Sequence, residues 1–377
     1  MDLLDDFFKK NDVRIGKDFE VKPAIHYLSL HDAFHNYFIS GRSLKSTFHF
    51  IYSKEKQNRK NLSYNYSGDS KAVSMSLLGF HRFIELHLKH ILYKVNPLLT
   101  VNFLDSKLNV FEYLNLEIDI NNLRTVDFSE ALSRLKKCFK KYNKKSDEYI
   151  NVLEGYEFLF ENESWNCIRH LSKWRNKIMH NGETLPNIIA YDYFISQQVI
   201  PLVNRIFNAD KSNYGSYQPH YFKTETNIDL IGEFLKVEIS LKDAMEDVKT
   251  DKFWFDLFKI FHLKELGRCA FKQIYQGVNV KACEVPQDFK LYKERIKRFT
   301  ISEKKDPNFV SINTCNCCGM DSLIVYRNDV SHISWVDSDY SYWFKCFNCD
   351  YTLKDNVADP FVFGLSKTAL FPSSQRI

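Results

Sequence analysis

Two short constellations carry the residue types that do chemistry. The first is Arg175-Asn176-Lys177-Ile178-Met179-His180, which sets a permanently charged guanidinium close to an imidazole that titrates near neutrality. On a helix, at 100° per residue, Asn176 and His180 share one face at i, i+4, with Arg175 on the flank of that face. This is the minimum equipment for breaking an RNA backbone without a metal. The imidazole moves the proton of a 2′-hydroxyl or of the leaving group, and the guanidinium holds the phosphate bidentately as its charge grows. Asn176 can orient either partner. The second constellation is Cys315-x-x-Cys318-Gly319 and Cys346-x-x-Cys349, two knuckles separated by 27 residues. Cys315, Cys318, Cys346 and Cys349 fit a tetrahedral zinc site. Four thiolates leave no open coordination position, so Zn2+ there is structural and takes no part in catalysis. Gly319 supplies the positive φ that turns backbone amides towards the sulfurs. Cys317 is the spare, either a non-ligand beside the metal or a competitor of Cys315.

The elements that must position these groups follow from periodicity. Leu77, Phe80, Ile84, Leu88, Ile91 and Val95 recur at three and four residues and predict a long helix that Pro97 stops. A second helix is predicted from about Asp127 through Leu132, Leu135 and Phe139. A third carries Trp165, Ile168, Leu171, Trp174 and Ile178 and ends at Gly182, with Pro186 beyond. The fourth runs from about Asn187 to Phe207. Four amphipathic helices with modest connections make a helical bundle. After residue 305 the pattern changes to short β-rich runs bracketed by the cysteines, namely Leu323 to Tyr326, His332 to Val336 and Tyr340 to Phe344. The expected fold class is therefore mainly α, a helical bundle (69–210) with a small β-rich zinc module (306–377). An N-terminal accessory segment (1–68) and a helical or mixed connector (211–305) complete the division.

Bulk properties agree. With 32 Phe and 21 Tyr in 377 residues the chain is globular, and only 12 Gly and 9 Pro argue for long helices over a turn-dense β protein. A net charge of +5 permits a nucleic-acid partner without demanding one, and it counts against a DNA-binding regulator built around the ribbon. The start MDLLDDFFKK is acidic and unlike a secretory signal, and no long uncharged apolar run predicts a membrane span. Nine cysteines, clustered rather than paired, suit a reducing compartment, so a cytoplasmic location is expected. Cys138, Cys167, Cys269 and Cys283 read as ordinary buried residues.

Arg175-Asn176-x-x-x-His180, at the end of the third amphipathic helix and ahead of another long apolar helix, resembles the Arg-x(4–6)-His signature of the HEPN superfamily. The resemblance spans roughly residues 70–208. It implies a HEPN-like bundle and a metal-independent endoribonuclease acting as a homodimer in which two motifs meet. Many such proteins are toxins or antiviral, abortive-infection effectors, so an antitoxin or defence-system partner is implied as well. By that resemblance Arg175 and His180 are catalytic and Asn176 supporting, and Glu85 is the acidic residue of the first helix. The cysteine knuckles resemble a zinc ribbon.

The basic run that includes Lys136, Lys137, Lys140 and Lys141 reads as an exposed helix face, or in an RNA-cutting bundle as a track for the RNA backbone. Arg169 and His170 read as solvated, with a phosphate contact open to them. The alternative reading is a non-catalytic adaptor that binds nucleic acid or protein through the bundle and the ribbon.

Overall fold

The computed structural model describes residues 25–40, 69–102, 124–142, 150–181, 185–210, 223–224, 226–245, 251–275, 294, 298, 301–329 and 340–357. The helices that matter for the site are α1 (Ile25–Ile39), α2 (Ser70–Val95), α3 (Phe128–Tyr142), α4 (Asn162–Asn181), α5 (Ile188–Phe194), α6 (Ile200–Ala209), α7 (Leu230–Leu235) and α8 (Asp251–Tyr275). Four strands follow: β1 (Phe309–Thr314), β2 (Asp321–Asp329), β3 (Tyr340–Cys346) and β4 (Thr352–Val357). The described residues are mostly helical with a small antiparallel sheet, as expected. No described helix is long and apolar enough to cross a membrane.

The helices start and stop for local reasons. The predicted stripe of α2 is buried along its whole length, from Leu77 to Val95. Past Val95, Asn96 is extended and its side chain accepts from the Leu98 amide, capping a short 3-10 turn that begins at Pro97. Asp127 accepts from the Glu130 amide and so opens α3. Asn187 does the same for α5 through the Ala190 amide. Helices α5 and α6 are one rod interrupted by the π turn Ile195–Val199. Pro201, in the first turn of α6, has no N–H for a regular i→i−4 bond, and the wider turn absorbs that loss. Gly182, the predicted stop of α4, lies outside the described residues, as does the run His332 to Val336.

Residues 25–39 differ from expectation. They form α1, which lies along α2 with Leu30, Ala33, Phe34 and Tyr37 fully buried. The approach is close because Gly79 faces Ala33, where an added Cβ would stand 2.9 Å from the Ala33 Cβ. On its other side α1 meets α8, where Gly267 leaves room for the Phe38 ring. Interspersed histidines hide the helical period of the aromatic residues on α1, but packing makes the helix part of the core.

Helix α8 joins the two halves. From Ile260 to Phe271 every residue is buried, including Lys264, Glu265 and Arg268. The Lys264 ammonium sits 2.8 Å from Asp192 of α5 and over the faces of Tyr37 and Tyr191. Arg268 and Glu265 pair with each other at 2.7 Å. Arg268 also donates to the Asp350 carbonyl at 2.6 Å, and His262 bonds the Tyr351 hydroxyl. The sheet, ordered β1-β2-β3-β4 with every pair antiparallel, is thereby docked on the helix. The β2–β3 register sets Leu323 opposite Cys346 and Tyr326 opposite Trp343, whose rings stack at 3.9 Å.

Candidate functional site

Helices α3 and α4 both pack on α2, and between them they line an open groove of about 770 Å3. Its floor is apolar and aromatic, with Phe128, Leu132, Trp165 and Ile168. Hydroxyls of Ser129, Ser133 and Ser172 line its walls. Among the described residues the charged lining is Lys136 from α3 and Arg169, Lys173 and Lys177 from α4, with no carboxylate. Asn176 and His180 complete the α4 wall. They face the groove together because i and i+4 share a helical face, as predicted. The Lys136 ammonium stands 4.8 Å above the Trp165 ring, a cation–π contact that ties the two walls across the floor.

Arg175 stands on the flank of that wall. Its Nη1 donates to Asn176 Oδ1 at 2.9 Å, so the guanidinium is tethered beside the groove and not within its lining. It faces towards α2. Burial holds the His81 imidazole down to about 4, and the charge of Arg175 adds to that effect while Glu85 acts in the opposite sense. Glu85 itself binds Lys89 at 2.7 Å and lies 3.9 Å from His81. It therefore flanks the Arg175 side of the site and does not line the groove. The His81 ring packs on Phe128, which links this corner to the groove floor. His180 is exposed on the last turn of α4, and no hydrogen bond or ion pair to a described residue holds its ring.

Lys137, Lys140 and Lys141 are exposed on α3 beyond the groove lining. Of that run only Lys136 reaches the groove. Arg134 is consumed structurally, donating to the Leu99 and Val101 carbonyls and to Glu130. Sequence reasoning left out Lys173 and Lys177. The signal for them was present, since Arg169, Lys173, Asn176, Lys177 and His180 recur at helical spacing.

The cysteine knuckles come together as predicted. Cys315, Cys318, Cys346 and Cys349 are buried, with their sulfurs within 4.8 Å of one another. The Cys315–Cys349 and Cys318–Cys346 separations are both 3.7 Å. Four sulfurs about 2.3 Å from one ion, arranged tetrahedrally, stand about 3.8 Å apart, so the residues fit zinc. Backbone amides of Cys317, Asn348 and Cys349 point at the sulfurs of Cys315 and Cys346 at 3.4–3.5 Å, a favourable surrounding for thiolates. The two knuckles repeat each other. Gly319 (φ +69°) and Asp350 (φ +61°) occupy the same turn position, and each returns its amide to the carbonyl of its first cysteine, Cys315 or Cys346. Cys317 stands outside that set of four, its sulfur 3.8 Å from the Leu266 carbonyl. Cys269 of α8 lies against Cys317 and Cys349. It is thus a contact of the cluster, which its isolated place in the sequence concealed.

Compared with protein-family models, with curated proteins and with solved structures, the chain matches none.

Proposed function

We propose that the chain is a metal-independent endoribonuclease of the HEPN type, acting as a homodimer, with the ribbon holding a structural Zn2+ on Cys315, Cys318, Cys346 and Cys349. The observation that carries this reading is the groove between α3 and α4. Among the described residues it combines four cations and no carboxylate with an aromatic floor for a base and the Asn176–His180 pair on one wall. A polyanion with stacked bases is the ligand that such a lining suits.

In this mechanism the RNA phosphate enters between Arg175 and His180. His180 takes the 2′-hydroxyl proton as general base while water protonates the leaving 5′-oxygen, or it protonates that oxygen as general acid while water takes the 2′-hydroxyl proton. The 2′-oxygen forms a bond to phosphorus while the bond from phosphorus to the 5′-oxygen breaks. The products are a 2′,3′-cyclic phosphate and a 5′-hydroxyl. Arg175 stabilises the charge gathering on the phosphoryl oxygens, and Asn176 holds the guanidinium in place through the 2.9 Å bond already present. Zinc on the four thiolates takes no part, because a closed four-thiolate site offers no position to substrate.

A toxin or abortive-infection effector working in the cytoplasm is the setting this reading favours. Overexpression should arrest growth and degrade cellular RNA, and His180→Ala should relieve both while leaving the helical fold intact by circular dichroism. A second reading is a non-catalytic adaptor. The observation favouring it is the His180 ring, which no described residue orients. An adaptor's effect on the host would survive His180→Ala and disappear with Cys346→Ser.

A further inference from the structure

Outside the groove lining, where α1 begins and α6 stops, two buried imidazoles with idle nitrogens converge on a buried carboxylate. His26 sits in the first turn of α1, His87 in the third quarter of α2, and Asp210 directly after α6. Donor atoms of all three lie within 4.8 Å of one another. His87 is fully buried and His26 and Asp210 are 2% exposed. Among the described residues, neither ring nitrogen of His87 has a hydrogen-bond partner, and neither does Nε2 of His26. Buried polar atoms are almost always paired, and each exception points to an ion, a water or stored strain. Leaving a buried donor or acceptor unmet costs about 1–3 kcal/mol, so an imidazole with both nitrogens idle in the core needs an occupant.

We propose that His26, His87 and Asp210 form a second metal site, for a borderline divalent ion of the Zn2+ class, stapling the start of α1 to α2 and to the end of α6. Two imidazoles and a carboxylate are the donor set such an ion prefers. The ring spacing agrees: the His26 and His87 centroids are 5.2 Å apart, in a T-shaped arrangement. Two imidazoles bound to one tetrahedral ion through nitrogens about 2.0–2.1 Å away have centroids about 5 Å apart. The carboxylate is held in place from its other side, since Tyr27 donates to Asp210 Oδ2 at 2.8 Å. Lys94, about a third exposed, approaches Oδ1 only to 3.9 Å and can withdraw to solvent. His90, one turn beyond His87 and 5.0 Å from the His26 ring, flanks the fourth position. All three donor residues are buried and come from separate parts of the bundle, so the role proposed for the ion is to staple them together.

The test is metal analysis of the full-length protein loaded with Zn2+ and treated with an organomercurial, which releases metal held by thiolates. The expected result is one equivalent per chain that resists the mercurial, and its loss in both His87→Leu and Asp210→Asn. With Co2+ in place of Zn2+, the wild type should show one cobalt lacking the sulfur charge-transfer band, a readout that requires no variant. A wild-type protein with no mercurial-resistant metal and no such cobalt overturns the proposal. So does retention of that equivalent in both variants. RNA cleavage is not part of the measurement, so its outcome is independent of the groove reading.

Discussion

Removing two of the groove's four cations should change how RNA binding depends on salt, by an amount the lining fixes. Each phosphate neutralised on a single strand contributes about −0.7 to the slope of log K against log salt. If Lys136, Arg169, Lys173 and Lys177 each hold one phosphate, the slope is about −2.8, and affinity falls about 50-fold between roughly 50 and 200 mM salt. The double variant Lys136→Ala/Lys173→Ala takes one cation from each wall. Its slope should be about −1.4, and its loss over the same range only about 7-fold. Both lysines are surface residues away from the core, so the fold is retained. Fluorescence anisotropy with a labelled single-stranded RNA, using a His180→Ala background to prevent cutting, gives both slopes directly. Equal slopes for the two proteins would refute the assignment of the groove as the RNA track. A reduced slope for the exposed outer lysines, Lys140→Ala/Lys141→Ala, with none for the groove pair, would move the track outward along α3.

Other expectations concern the scaffold. Lys264→Met leaves the Asp192 carboxyl, which is fully buried, without its counter-charge and should cost about 3–5 kcal/mol in urea unfolding. The double replacement Lys264→Met/Asp192→Leu should recover most of that loss, and a simple sum of the two single effects would contradict a coupled pair. Burial holds His31 and His81 at about 4, below the ordinary histidine value. Between about pH 6.5 and 4 the unfolded chain therefore binds protons that the folded one refuses. The stability these residues contribute is complete above about pH 6.5 and is lost on acidification, by up to about 3 kcal/mol each. His31→Gln and His81→Gln should flatten that part of the pH–stability curve, and an unchanged curve would show that burial does not hold these rings neutral. Cys346→Ser should lose the mercurial-releasable metal and loosen the sheet from α8, seen as new amide exchange in both. Full protection in the variant would mean that the Arg268–Asp350 and His262–Tyr351 bonds hold the sheet without metal.

What the sequence made legible follows from how local each signal is. The α2 stripe, the Asn176–His180 face and the two cysteine knuckles are each written within a few turns or one β-hairpin, and the structure places them as read. Helix α8 was legible only in its apolar stretch from Phe253 to Leu263. Its buried Lys264, Glu265 and Arg268 look like a solvated face until their partners arrive from Asp192 and Asp350, 72 and 82 residues away. Arg175 behaved likewise: spacing put it on the flank, but its bond to Asn176 and its approach to His81 depend on how α2 crosses α4. The His26–His87–Asp210 cluster left almost no linear trace. Its members come from two helices and from the residue that follows a third, so nothing in the local sequence joins them. Cys269 was misjudged for the same reason, because its neighbours Cys317 and Cys349 belong to the far module.

The central claim is metal-free transesterification at Arg175 and His180, and product-end analysis tests it most directly. Purified wild type and His180→Ala should be incubated with a defined RNA in excess EDTA, with the fold of both checked by circular dichroism. The account predicts cutting by the wild type, a fall of about 10²–10⁴-fold in the variant, and fragments ending in 2′,3′-cyclic phosphate and 5′-hydroxyl. Fragments bearing 5′-phosphates, or equal cutting by both proteins, would contradict it.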